Sequence, residues 1–484
     1  MTFFKRYQQE LAIATGLVFF LSLYLINPFH LEQQARIVLA SGALMVSWWV
    51  LEAMPLPVVA LVPIVLFPLL HISPIKEVTR SYADSMIFLF MGGFFLALAI
   101  EKWDLHKRIA LSIIRYTGTN GNKIILGFII STGFLSMWLS NTATTMMMYP
   151  IAVSVIQVIG QQEGNEKGMK NFSLVLMLSI AYASNFALGT IIGTPPNVAY
   201  ASYIHEKFGY SIGFTNWMIV FTPLTILLLL MQYWVLVKWM YPNGIRHSET
   251  GKKYIDTELK KLGPLSKPEK RVLFIFILTV LLWITKDLLN AVQKTIQLDD
   301  TIIAMTGATL LFIFPSGRSD KAPSERLLEW PDTSKMAWGI LLLFGGGIAL
   351  ANALEAATLM DQLGQWMASF STNNTLLMVL IVTTVSVFLS EVMSNVAQVI
   401  VMAPVISSLA TAIHMQPLML GIAMTLGASC ASMLPMGTPP NAIVFASGHI
   451  KLKDMLKTGF VMNIICIVLV SLFCYFILPM VMKL

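Results

Sequence analysis

The stretch "FLSMWLSNTATTMMMYP", residues 134–150, decides how this chain is read. It sits in a run with no charged residue from Ile124 to Gln162, yet its centre is Ser140-Asn141-Thr142-Ala143-Thr144-Thr145. In hydrocarbon an unsatisfied polar group costs several kcal/mol. A single Ser or Thr there escapes that cost by bonding a carbonyl one turn earlier, or by pairing with a neighbouring helix. A whole row of hydroxyls around an amide fits a second solution. The helix breaks inside the membrane, and the freed backbone groups and side-chain oxygens line a cavity enclosed by protein.

Composition places the stretch in a bilayer. Of 484 residues, 56% are hydrophobic and 12% charged, and the mean hydropathy is +0.73. A soluble domain carries about 25% charged residues. Apolar runs of roughly 18 residues or more recur from end to end, each able to cross a core of about 30 Å. The reading is an all-α, multi-pass protein of a cell membrane, the inner membrane if the source is bacterial. Window length predicts about ten or eleven spans. Lys5 and Arg6 precede an apolar run at 11–27 that has no small-residue cleavage site, so it is read as a retained first span. The longest polar connection, 241–271, holds eight Lys/Arg (246, 252, 253, 260, 261, 267, 270, 271) against four acids (249, 256, 258, 269). By the positive-inside rule it is cytoplasmic, and the net charge of +7 needs no nucleic-acid partner. Cys430, Cys466 and Cys474 lie in apolar segments without metal-ligand spacing.

The chain repeats itself. "FMGGFFLALAIE" (90–101) returns as "FGGGIALANALE" (344–355), and "SNTATTMMMYP" (140–150) as "SNVAQVIVMAP" (394–404), both 254 positions later. "GTPPNVAYAS" (193–202) returns as "GTPPNAIVFAS" (437–447), 244 positions later. Three stretches in one order at nearly one spacing indicate an internal duplication. The expected division is an N-terminal span at 1–35, a first repeat at 36–240, a cytoplasmic linker at 241–271 and a second repeat at 272–484.

Gly-Thr-Pro-Pro-Asn suits a break. Pro195 and Pro196 lack donors and push the preceding residue out of helix, as do Pro439 and Pro440. Gly193 and Gly437 permit close approach. Asn197 and Asn441 are expected to start the next helices. Hydroxyl, amide and carbonyl oxygens suit a hard cation, and half-helix N-termini suit an anion. No Lys or Arg occurs between Met336 and Ile450, from Asn171 to Glu206 or from Ile124 to Glu166. An anion held by these motifs relies on helix ends and co-bound cations, which favours coupled symport.

These motifs, over essentially the whole chain, resemble the divalent anion/sodium symporter (DASS) family of INDY-type dicarboxylate carriers and sodium-coupled citrate and sulfate carriers. The stretch "MLPMGTPPNAIVFASGHIKLKDMLKTG" (433–459) is similar to the di- and tricarboxylate members. The resemblance implies an inverted repeat with two re-entrant hairpins, a scaffold plus an elevator-type transport domain, and a homodimer. It implies sodium-coupled symport of C4-dicarboxylates (succinate, fumarate, malate) or related di- and tricarboxylates. The alternative on the same fold is a sodium-independent dicarboxylate exchanger or a sulfate carrier. Carried over, one sodium site uses Ser136, Ser140, Asn141 and Gly193. The other uses Ser390, Met393 by its carbonyl, Asn395 and Gly437. Substrate carboxylates meet Asn141, Thr142, Asn395 and Pro439, with Thr194 and Thr438 nearby. Val396 stands where the simplest family form has Thr, so one hydroxyl contact is missing on that side.

Other residues carry less. Glu391, four positions before Asn395, suits a functional acid or a hydrogen-bonded structural one. Glu101 and Glu355 occupy equivalent repeat positions and suit structural roles. Trp48, Trp49 and Glu52 suit an interfacial belt, and the many methionines suit core filling. His71, His106, His205 and His414 have no metal-ligand spacing. No nucleophile with a positioned base and no nucleotide motif is legible, so an enzyme is not expected.

Overall fold

The computed structural model describes residues 7–118, 120–160, 166–245, 249–293, 295–318, 325–369, 372 and 374–482. Lys5, Arg6 and Arg246, counted above among the positive charges, and the polar run 161–165 lie outside them. Among the described residues the fold is helical, and its only extended pairing is an isolated bridge between Pro315 and Arg326. Among the described residues, eight helices are long and apolar enough to cross a bilayer. Five shorter apolar helices accompany them: Leu56–Leu69, Gly121–Ser136, Asp300–Ile313, Thr375–Leu389 and Pro417–Ala428. Sequence windows predicted ten or eleven complete spans because they ran across places where the chain leaves helix. Those places are 137–140, 186–194, 390–394 and 429–438.

The duplication is visible bond by bond. Asn120 caps helix Gly121–Ser136 by accepting from Lys123 N at 2.8 Å, and Asn374, 254 positions on, caps Thr375–Leu389 through Leu377 N at 3.1 Å. Asp104 and Thr358 are another such pair, and both take left-handed backbone, at φ 52° and 53°, just before the short helices Leu105–Thr117 and Leu359–Ala368. Gly92 and Gly346 are a third. A Cβ on Gly92 would lie 2.7 Å from the carbonyl carbon of Ala304, and one on Gly346 would lie 2.7 Å from Ala60 Cα. Ala60 and Ala304 are themselves 244 positions apart. Each repeat thus seats its glycine on the other repeat's alanine, backbone against backbone, as small residues do between membrane helices.

Arg108 donates to both Glu269 oxygens at 2.7 and 3.2 Å and to the Gly263 and Leu262 carbonyls at 2.8 and 3.0 Å. Arg115 pairs with Asp256 at 2.9 Å. Helix Leu105–Thr117 is therefore fastened to the basic linker. Trp48 and Trp49 were expected at an interfacial belt, and the structure corrects this for Trp49. Trp49 is buried, with its indole donating to Leu56 O at 3.3 Å, while Trp48 donates to Ile13 O at 3.2 Å. An indole N–H away from water needs an acceptor, and neighbouring carbonyls supply it.

Replacing Gly346 by Ala forces the Ala60 backbone away, a form of overpacking that costs about 1–3 kcal/mol. The expected outcome is a lower melting temperature of the detergent-solubilised protein, measured against Gly93→Ala. There the nearest atom to the new methyl is the flexible end of Ile192, at 3.4 Å.

Candidate functional site

Two helix pairs and two broken helices build the site. The first pair is Gly121–Ser136 and Asn141–Gly160, and the first broken helix is Glu166–Asn185 and Pro195–Phe208. Their repeat mates are Thr375–Leu389 with Asn395–Ala412, and Pro417–Ala428 with Pro439–Phe445. The prolines act as expected: Thr194 (φ −137°, ψ 137°) and Thr438 (φ −145°, ψ 150°) are extended and helix resumes at Pro195 and Pro439. The caps differ from expectation. Thr194 and Thr438 hold the N-cap positions, and Asn197 and Asn441 fall inside the first turn. A proline at the first helical position leaves the cap to the residue before it. Thr438 Oγ1 accepts from Asn441 N at 3.3 Å.

At the first break, oxygens crowd one amide. Ser136 Oγ lies 2.8 Å from the terminal atom of Asn141, and the carbonyls of Ser184 and Gly193 lie 3.1 and 3.2 Å from it. The two ends of an amide are distinguished only by their bonding. With nitrogen there, Asn141 donates to all three. With oxygen there, four oxygens face one another, an arrangement that a small hard cation would satisfy. The second break repeats the figure. Ser390 Oγ donates to Asn395 Oδ1 at 2.7 Å and to the carbonyl of Ala428. Ser136 and Ser390 are 254 positions apart, and their carbonyl partners Ser184 and Ala428 are 244 apart. Of the first expected set, Ser136, Asn141 and Gly193 come together. Ser140 instead turns its hydroxyl to Ala143 N at 3.2 Å and caps its own helix. Of the second set, Ser390 and Asn395 meet, while Met393 and Gly437 line the neighbouring cavity. Sequence reasoning missed the carbonyls of Ser184 and Ala428, although they share the offset of the Gly-Thr-Pro-Pro-Asn copies.

That cavity has a volume of about 1580 Å³. All seven residues expected to meet substrate line it: Asn141, Thr142, Thr194, Asn395, Val396, Thr438 and Pro439. Helices Asn141–Gly160, Pro195–Phe208 and Asn395–Ala412 begin at its wall, so their positive ends face it. It is also lined by Glu52, Glu101, Lys102, Asp104, His106, Lys107, Asp332 and Lys335. Lys102 pairs with Asp332 and Lys107 with Asp104, both at 2.7 Å. Because Arg108 follows directly and grips the linker, this charged wall lies beside the linker. His106 is buried there with Nδ1 3.0 Å from Ile100 O, and burial lowers its pKa from the ordinary value. Glu355, its role left structural above, pairs with Lys207 at 3.2 Å.

Glu391 stands one residue beyond Ser390, where the first repeat has Met137. It is 3% exposed. Its carboxylate accepts from Ser432 N, Met433 N and Leu434 N at 2.8, 2.9 and 2.9 Å, and from Asn463 Nδ2 at 2.7 Å. A Cβ on Gly437 would lie 3.0 Å from its Oε2. In the first repeat the unwound chain again donates to the turn, but with side chain and backbone exchanged: the Thr190 hydroxyl donates to the Met137 carbonyl. Both bonds pin the unwound chain of a break to the turn of a helix pair.

Comparison with known proteins gives three findings. The family model described as "Sodium:sulfate symporter transmembrane region" matches residues 8–484. A sodium-dependent dicarboxylate transporter SdcS of Staphylococcus saprophyticus is 38% identical over 472 residues, covering 96% of this chain and 90% of the relative. The protein of that name from Staphylococcus aureus strain MRSA252 is 38% identical over 497 residues, covering 100% and 95%. Among solved structures, the Alcanivorax borkumensis YdaH transporter matches with a TM-score of 0.50 and 13% identity over 80% of this chain and 84% of that one, a likeness of fold.

Removing the Glu391 carboxylate leaves two buried and two half-buried donors unmet, the buried ones at about 1–3 kcal/mol each. Glu391→Ala is expected to melt well below wild type in detergent. Glu391→Gln, which keeps one acceptor oxygen, should fall between. Wild-type melting of Glu391→Ala would show that the carboxylate does not hold the break.

Proposed function

The chain belongs to the sodium:sulfate symporter family, and from that footing we propose that it is a secondary active transporter. It carries sodium together with a C4-dicarboxylate such as succinate, fumarate or malate across the cell membrane, as the names of its relatives suggest. The observation that carries the reading is the meeting of both repeats' motifs in one cavity, each backed by a cluster of neutral oxygens. Sodium is cargo here. One ion sits among Ser136, Asn141 and the Ser184 and Gly193 carbonyls. The other sits among Ser390, Asn395 and the Ala428 carbonyl, with Met393 and Gly437 completing the shell.

The anion's charge is balanced by those ions and by helix ends, because no Lys or Arg lies in the motifs. Its carboxylates meet Asn141 and Thr142 on one side and Asn395 on the other, with Thr194, Thr438 and Pro439 between them. Val396 offers no hydroxyl, so the two ends of the anion are held unequally. The basic linker, cytoplasmic by its charge, lies beside the charged wall of the cavity, so this is read as the inward-facing state. The proposal includes a homodimer and an elevator-type movement of the helix pairs and broken helices against the remaining spans.

The test is uptake of radiolabelled succinate into proteoliposomes. An inward sodium gradient should drive it and potassium should not replace sodium. Asn141→Ala and Asn395→Ala should each abolish sodium-driven uptake while the protein still elutes as a folded species. Robust uptake by both variants in potassium alone would sink the coupling. Excess unlabelled sulfate should leave succinate uptake intact, and competition by sulfate would favour the sulfate-carrier alternative.

Substrate affinity tests the asymmetry. A hydroxyl bonded to a buried carboxylate is worth about 1.5–3 kcal/mol. Thr142→Val should therefore weaken apparent succinate affinity roughly ten- to a hundredfold at saturating sodium. Val396→Thr adds a donor at nearly constant volume and should be tolerated. Unchanged affinity in Thr142→Val would remove the carboxylate from that helix start.

A further inference from the structure

The two oxygen clusters belong to different repeats, and one side chain ties them together. Asn185 ends helix Glu166–Asn185, next to the Ser184 carbonyl that faces Asn141. It is fully buried. Its Nδ2 donates across the repeat boundary to Thr438 Oγ1 at 3.1 Å and to Ala431 O and Asn441 Oδ1, both at 3.3 Å. Those acceptors are the unwound chain and first turn of the second break. Ala431 lies three residues past Ala428, whose carbonyl faces Ser390, and Thr438 directly follows Gly437.

The mates of these residues repeat the contact in reverse. Ser429 stands 244 positions after Asn185, and its hydroxyl lies 3.3 Å from that of Thr194, the mate of Thr438. Each break therefore reaches the cap of the other. The two reaches are unequal. Asn185 is long enough to gather three oxygens of the second break. Ser429 is shorter, and Asn197 Oδ1, the mate of the Asn441 oxygen that Asn185 holds, is buried without a protein partner.

We propose that Asn185 is a positioning residue that couples the two cation clusters, so that filling one sets the geometry of the other. The inference rests on the sodium-symport reading above. A cation that draws in the Ser184 carbonyl fixes the peptide leading into Asn185. The amide then fixes Ala431, Thr438 and Asn441, and with them the chain carrying Ala428 and Gly437. Coupling of this kind is reciprocal, so either ion prepares the site for the other. Where both ions must bind before the anion is carried, strongly coupled sites give a Hill coefficient approaching about 2, and independent sites one only slightly above about 1.

The experiment measures succinate uptake by the full-length protein in proteoliposomes as a function of sodium, each curve normalised to its own maximum. Wild type should show a Hill coefficient approaching about 2. Asn185→Ser places at 185 the residue its mate has, keeps a hydroxyl and is too short to span the junction. Its Hill coefficient should fall to about 1, with half-saturation moved to higher sodium. A residue that merely packs the core would lower the melting temperature and maximal rate while leaving the curve sigmoidal, and that result overturns the proposal. Asn185→Thr, with more volume, is the second variant if Asn185→Ser is not recovered folded, and the same fall is expected. A wild-type Hill coefficient only slightly above about 1 would also refute coupling. Uptake indifferent to sodium in wild type would instead refute the symport reading itself, so the two failures are distinct.

Discussion

Inside a bilayer a polar group must find a partner in the protein, because the solvent offers none. Everything distinctive about this structure follows from meeting that demand at four interruptions of helix. At 137–140 and 390–394 the chain turns between the helices of a pair, and at 186–194 and 429–438 it unwinds within a broken helix. Each turn lies against an unwound segment, and serine hydroxyls, asparagine amides and carbonyls satisfy one another there. The arrangement that makes a break tolerable also collects neutral oxygens in one place, and those are ligands for a small cation. Stability and function therefore draw on the same atoms.

Duplication supplies this solution twice, and divergence makes the copies unequal. Ser136 with Asn141 and Ser390 with Asn395 are near-identical in geometry, at 2.8 and 2.7 Å. Around them the partners differ. Where the first repeat pins its break with the Thr190 hydroxyl and the Met137 carbonyl, the second uses the Glu391 carboxylate and three successive backbone N–H groups. Thr142 has Val396 as its repeat mate, and Asn185 has Ser429. A transporter of this kind has one axis of approximate symmetry and a substrate that need not share it. The differences lie in the wall of the cavity, where the proposed symport holds its ions and anion, and where the two breaks join. The glycine–alanine crossings that only hold helices together have stayed alike.

The charged wall of the cavity shows how far charge alone carries the reading. The basic linker marked its side of the membrane from composition. Arg108 then ties helix Leu105–Thr117 to that linker, which places the charged wall beside it. His106 was passed over because it has no spacing partner. Only the packing of that helix buries it in the cavity wall.

By itself the sequence determined what the bilayer and the duplication impose. Apolar run length required membrane spans. The paired Ser-Asn and Gly-Thr-Pro-Pro-Asn copies located the interruptions, and the lack of Lys and Arg around them excluded an arginine clamp. These are local or periodic properties, readable wherever they occur. What the tertiary structure decided was which oxygen meets which. Windows counted complete spans across 137–140 and 429–438 because hydropathy does not register a helix that stops midway. Asn197 and Asn441 read as caps, but proline geometry moved that role to Thr194 and Thr438. Trp49 read as interfacial, yet the Leu56 carbonyl gave its indole a buried partner. The carbonyls of Ser184 and Ala428 carry no side-chain signal, and Asn185 meets Thr438 across 253 residues of chain. Such contacts depend on how two repeats dock. A pattern of residue types along one chain does not encode that distance until the chain has folded.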